Sequence, residues 1–229
     1  VRAARARGLR VSCEVTPHHF TLTDQDVAYD THYKMNPPLA SQEDREALIA
    51  GLVDGSVEAI ATDHAPHEPA SKEVEFDRAP FGVTGFETAL SLALELVHAG
   101  RLPLMRMVEL FTSGPASVLG RTRRLAAGEP ADLTLFSTEH AWTFHASESA
   151  SKSRNTPFDG REFRGASVFL GGLKNGVFTT VACTRSRTAS TVISTSSKVP
   201  GRLNSCFTVA SAISFFSVGD HVVEVALPT

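Results

Sequence analysis

Cysteine is scarce in this 229-residue chain: Cys13, Cys183 and Cys206 are far apart, odd in number and in no Cys-x-x-Cys arrangement. That excludes a disulfide scaffold and a cysteine-based zinc knot, and it points to reduced thiols in a cytoplasmic protein. No run of about 18 apolar residues occurs, so the sequence offers no membrane span. An excess of one charge is also lacking. The 22 Lys+Arg stand against 25 Asp+Glu, a formal net charge of −3, which leaves no clustered positive charge for nucleic acid or anionic lipid. No internal repeat is found. What remains, 42% hydrophobic and 21% charged residues, is the composition of a globular chain able to build a sizeable core.

Val1 to Gly8, rich in Ala and Arg, reads as the last turns of a helix with Gly8 as its stop; an Arg- and Ala-rich transit peptide is the competing reading. The chain is therefore expected to begin mid-domain. Leu9 to Thr16 has the β-branched, partly alternating pattern of a strand ended by Pro17. A polar loop follows, and Lys34-Met-Asn-Pro-Pro-Leu39 is extended, because each Pro turns its predecessor away from helix. Ser41 opens a capping box, and Ala47, Leu48, Leu52 and Val53 recur at helical spacing up to Asp54-Gly55. Ser56 to Thr62 is the next strand, with Asp63 just past its end. Phe86 to Ala99, Pro103 to Phe111 and Thr112 to Gly120 read as helices, the first stopped by Gly100 and the last with Pro115 in its first turn.

This order is an α/β signature that favours a parallel sheet. Near Gly120 the texture changes to short strands and loops reaching about Gly171, with Gly128 to Phe136 a turn that feeds a strand. From Val177 onward Ser and Thr crowd, acids nearly vanish and helical periodicity is absent. Weak alternation in Ala210 to Ser217 and His221 to Ala226 fits edge strands or coil. The expected divisions are residues 1–120, 121–176 and 177–229.

Five groups crowd the two early strand ends: His18, His19, Asp63, His64 and His67. Imidazoles and a carboxylate at neighbouring strand termini suit Zn2+, which takes neutral nitrogen and anionic oxygen donors. A single histidine at a strand end is more often a hydrogen-bonded loop residue. The Asp63-His-Ala-Pro-His67 run weakens that reading, because a carboxylate so placed is poised to bind a metal or to exchange a proton with water.

Glu14-Val-Thr-Pro-His-His19, Lys34-Met-Asn-Pro-Pro-Leu39, Glu43-Asp-Arg-Glu-Ala-Leu48, Ala61-Thr-Asp-His-Ala-Pro-His67 and Ala79-Pro-Phe-Gly82, with Gly85 and Glu87, together resemble the bacterial class I dihydroorotases of the amidohydrolase superfamily. The likeness continues through Thr112 to Gly120, Pro130-Ala-Asp132 and Ser151 to Gly160, and covers Val1 to about Gly172. It implies the C-terminal part of a metal-dependent (β/α)8 TIM-type barrel, 1–120, followed by part of a small β-sandwich-like subdomain, 121–176. It leaves 177–229 without a role. The activity implied is reversible closure of N-carbamoyl-L-aspartate to L-dihydroorotate with loss of water, a step of pyrimidine synthesis.

Roles carry over residue by residue. Asp63 matches the aspartate that ends the eighth barrel strand, binds the metal and acts as acid/base; Asn36 and His67 match substrate-binding residues; Phe81 and Gly82 match a loop pair that meets the substrate ring largely through its backbone. His18 and His19 are then expected to be structural, hydrogen-bonding groups. The cofactor implied is Zn2+, one or two per site. The partners implied are the small-molecule substrate, with a homodimer or association with aspartate transcarbamoylase open. The chain departs from the family in having no His-x-His, and the family's other metal ligands precede Val1 in family order. A complete barrel takes about 250 residues, so the chain is expected to be an inactive piece of a larger enzyme. Two alternatives stand beside this one: a non-catalytic dihydroorotase-like subunit that scaffolds aspartate transcarbamoylase, and another cyclic amidohydrolase such as an allantoinase or hydantoinase.

Overall fold

The computed structural model describes residues 1–122, 126 and 133–167, together with the backbone of strands covering 168–174, 177–181 and 222–226. Cys183, Cys206, the 128–132 turn and the 210–217 alternation lie outside the described residues.

Helix α1 (Arg2–Ala6) ends before Gly8, whose φ of +78° supplies the expected stop. Strand β1 (Glu14–Val15) is shorter than the Leu9 to Thr16 pattern. Helix α2 (Pro17–Thr21) begins at once, where the sequence suggested loop. Proline permits this because its missing N–H falls at a helix start, where no intrahelical acceptor exists. Helix α3 (Gln42–Asp54) follows the sequence closely. The Ser41 side chain accepts from Asp44 N, the Asp44 carboxylate accepts from Ser41 N, and Gly55 closes the helix at φ +82°. Its buried face is only partly the one expected: Leu52 is buried and Leu48 packs against the core, but Ile49 and Gly51 also point inward, whereas Ala47 and Val53 are exposed. Gly51 is the reason. A Cβ there would come 3.1 Å from Val57, so the returning chain packs closest on that side.

Strand β2 (Ala59–Ile60) pairs parallel with β1, Glu14 opposite Ala59. Two flanking bonds, Glu58 N to Cys13 O and Ala61 N to Val15 O, extend the pairing. The short helix α4 (Pro69–Lys72) comes next, then α5 (Ala89–His98), α6 (Leu104–Phe111) and α7 (Ser113–Val118). These three match the expected helices within a few residues. Gly114 admits α7 against β2, since a Cβ there would lie 1.9 Å from Glu58 O.

A second, four-stranded antiparallel sheet has the order β5-β4-β3-β6, formed by β3 (Leu133–Thr143), β4 (Glu162–Lys174), β5 (Val177–Val181) and β6 (Val222–Ala226). Strands β3 and β4 are long where the sequence suggested short pieces. Register shifts between Leu135 and Phe136 and between Ser137 and Ala141 break the alternation that reveals a strand. The sheet meets α5 at Gly165. Its carbonyl accepts from Ser91 Oγ at 2.6 Å and Trp142 Nε1 at 3.1 Å, and a Cβ would strike Leu94. Phe20, Leu52, Leu92, Leu94, Met107, Leu110, Phe136 and Phe144 are among the fully buried residues of one core. No helix among the described residues is long and apolar enough to cross a membrane.

Candidate active site

Asp63 stands three residues beyond β2, exposed, with φ +46°. A left-handed backbone is costly for most side chains and tolerated best by Gly, Asn and Asp. The bend is held from behind. Gly85 lies so close to the Thr62 carbonyl that a Cβ would come within 2.6 Å. The next residue, His64, bridges Val83, and Ala65 N donates to Val83 O at 2.9 Å. His64 Nδ1 accepts from Gly85 N (3.1 Å) and Phe86 N (3.4 Å), which fixes the neutral ring with its proton on Nε2. The ring stacks on Phe86 at 3.9 Å and 5°. Desolvation lowers its pKa, opposed by Glu87. Asp63 makes no hydrogen bond or ion pair among the described residues.

His67 and the Phe81-Gly82 pair come together. His67 Nε2 donates to Phe81 O at 2.8 Å, since a carbonyl can only accept, so Nδ1 carries the free lone pair of the neutral ring. Gly82 has φ +111°, and a Cβ there would lie 2.4 Å from Ala65 Cβ and 3.6 Å from His67 Nε2. Its N–H donates to Lys34 O at 2.9 Å. Two nearly buried lysines fasten the same rim. Lys34 Nζ donates to Asp77 O and lies 4.8 Å from the Phe81 ring centroid. Lys72 Nζ donates to Thr31 O and Pro80 O. Burial, with Lys34 close by, pushes the Lys72 ammonium down to about 8, and Asp30 opposes this.

Asn36 is exposed, between the buried Met35 and Pro37. Its segment is anchored by His19, whose Nε2 donates to Pro37 O (2.8 Å) while Nδ1 accepts from Thr16 Oγ1 (2.6 Å). His19 is thus a structural hydrogen-bonding group. His18 is 2% exposed, and its Nε2 makes no hydrogen bond among the described residues. Burial, aided by the adjacent His19, pushes its pKa down from 6.5 to about 3.

The five-group cluster does not converge. Among the described residues no three His, Cys, Asp or Glu side chains could hold a metal ion. His19, His64 and His67 each spend a ring nitrogen on backbone, and His18 is buried, which leaves Asp63 as the open donor of the set. Asn155 and Lys72, to which sequence reasoning assigns no role, also shape this rim. Asn155 meets His67 across 88 residues and Lys72 meets Thr31 across 41, so these contacts have no local signal.

The His18 environment makes acid stability testable. Between pH 6.5 and about 3 the unfolded chain takes up a proton that folded His18 refuses, so stability falls as pH falls, by about 1.4 kcal/mol per unit. From pH 7 to pH 5 the chain should lose about 2 kcal/mol more than a His18→Leu variant. Denaturant titrations at the two pH values measure this, and equal losses would remove His18 as the cause.

No protein-family model matches the chain. A curated dihydroorotase from Solibacter usitatus is 53% identical over 180 residues, 76% of this chain and 42% of its own length. The matched part of this chain belongs to the dihydroorotase family. A dihydroorotase from Desulforapulum autotrophicum is 50% identical over 166 residues, 72% of this chain and 39% of its own. Among solved structures, the L-hydantoinase (dihydropyrimidinase) from Arthrobacter aurescens superposes with a TM-score of 0.73 at 30% identity, covering 80% of this chain and 41% of that one. The chain therefore spans about two-fifths of the length of the dihydroorotases it matches.

Proposed function

We propose that this chain is the Asp63-bearing portion of a cytoplasmic dihydroorotase that interconverts L-dihydroorotate and N-carbamoyl-L-aspartate, and that its helical part belongs to a (β/α)8 barrel. The observation that carries this reading is the open carboxylate of Asp63 at the end of β2, held in a left-handed bend beside a fastened rim. In hydrolysis the ring C–N bond breaks, the oxygen of water joins the carbonyl carbon, and Asp63 moves a proton from that water to the leaving nitrogen. Ring closure runs the same transfers backwards. Asn36 offers an exposed amide to a substrate carboxylate, and His67 offers Nδ1 as an acceptor for a substrate N–H. The Phe81 and Gly82 carbonyls and the Gly82 N–H already have partners, so Phe81 N–H is the backbone donor of that pair assigned to the substrate carbonyl.

Asp63 fits one ligand position of a zinc centre, but the described residues do not fit a whole one.

The test is turnover by the full-length enzyme carrying this segment. Hydrolysis of L-dihydroorotate in preference to hydantoin and allantoin is the expected result. Turnover of hydantoin without dihydroorotate would overturn it in favour of the second reading, a hydantoinase, which the Arthrobacter aurescens likeness supports.

A further inference from the structure

Asn155 reaches the rim from the segment that leads into β4. It is 3% exposed, and its amide is fully used. Nδ2 donates to Ala65 O at 2.8 Å and to Gly82 O at 3.1 Å, while Oδ1 accepts from His67 N at 3.0 Å. Its own carbonyl accepts from Thr84 N at 2.9 Å. One side chain thus holds both flanks of the Asp63–His67 loop's closing turn and the second residue of the Phe81-Gly82 pair. Only a primary amide presents two donors and an acceptor in one plane at this reach. Where Gly82 presses on Ala65 too closely for any Cβ, this amide bridges the two backbones.

We infer that Asn155 is a positioning residue of the candidate site: it sets His67 against Phe81-Gly82 and so governs the grip on the small anionic substrate without touching it. The statement about substrate rests on the dihydroorotase reading; the statement about His67 does not. With Asn155 in place, the His67 ring is held with its proton on Nε2 by the bond to Phe81 O.

Two substitutions test this. Asn155→Asp keeps the acceptor for His67 N but turns a carboxylate toward two carbonyl oxygens. Asn155→Ala removes all three contacts. In 15N-detected histidine ring spectra of this chain, both variants should move His67 from the Nε2–H form to an averaged mixture, while His19 and His64, fastened elsewhere, keep their signatures. In the full-length enzyme the KM for L-dihydroorotate should rise about ten- to hundred-fold, with kcat changing by less than about three-fold. For Asn155→Asp the KM should recover toward the wild-type value at low pH, where a protonated carboxyl regains one donor. An unchanged His67 signature in both variants overturns the proposal. So does loss of all three histidine signatures in both, which would make Asn155 a folding residue only. If the unsubstituted enzyme does not turn over dihydroorotate, the substrate reading fails and the His67 spectra alone decide the role of Asn155.

Discussion

Asp63→Asn in the full-length enzyme should lower kcat for dihydroorotate hydrolysis by about two to four orders of magnitude, the usual worth of a positioned acid/base, and leave the fold unchanged. The structure explains both halves. Asparagine accepts the left-handed backbone at φ +46° as readily as aspartate, and the Asp63 side chain has no hydrogen bond to lose among the described residues. The amide cannot carry a proton between water and the ring nitrogen. Steady-state rates together with a melting curve check the two halves separately. A variant within about ten-fold of the wild-type rate would take Asp63 out of proton transfer.

Gly82→Ala should be the most damaging single-methyl change at the rim. At φ +111° an L side chain is strained, and the new Cβ would sit 2.4 Å from Ala65 Cβ. Neither loop can retreat easily, because Gly82 N–H is bonded to Lys34 O and its carbonyl to Asn155. Backbone strain of about 1–3 kcal/mol adds to overpacking of about 1–3 kcal/mol, so unfolding stability should drop by about 2–6 kcal/mol. Gly120→Ala serves as the control. Its φ is +65°, but nothing lies within 4 Å of the added methyl, so its cost should stay near 1 kcal/mol. Denaturant midpoints decide; equal effects at the two positions would mean that the Gly82–Ala65 approach is not real.

Sequence reading succeeded where the physics is local. The Ser41 capping box and Gly55 stop of α3, and the Gly8 and Gly100 stops, act over a few residues and are written in adjacent letters. It faltered where tertiary contact overrides pattern. The stripe Ala47, Leu48, Leu52, Val53 is helical in period, yet Gly51 decides which side faces the core by what it lacks. The interrupted alternation of β3 hides an eleven-residue strand, because its irregularities shift residues out of phase with the partner. At the site, chemistry could be read from Asp63-His-Ala-Pro-His67, but not that the imidazoles are committed to backbone. That is settled by Gly85 and Phe81, which only the fold brings near.

The rim is fastened mainly by side chains that grip main-chain oxygens. Lys34 holds Asp77 O, Lys72 holds Pro80 O and His67 holds Phe81 O. Every amino acid brings the same carbonyl, so each acceptor position contributes its place in the chain rather than its identity. Phe81, a residue 54% exposed, can therefore be exchanged while its carbonyl stays where His67 needs it. A protein built this way can change what Phe81 displays and keep the supporting geometry unaltered.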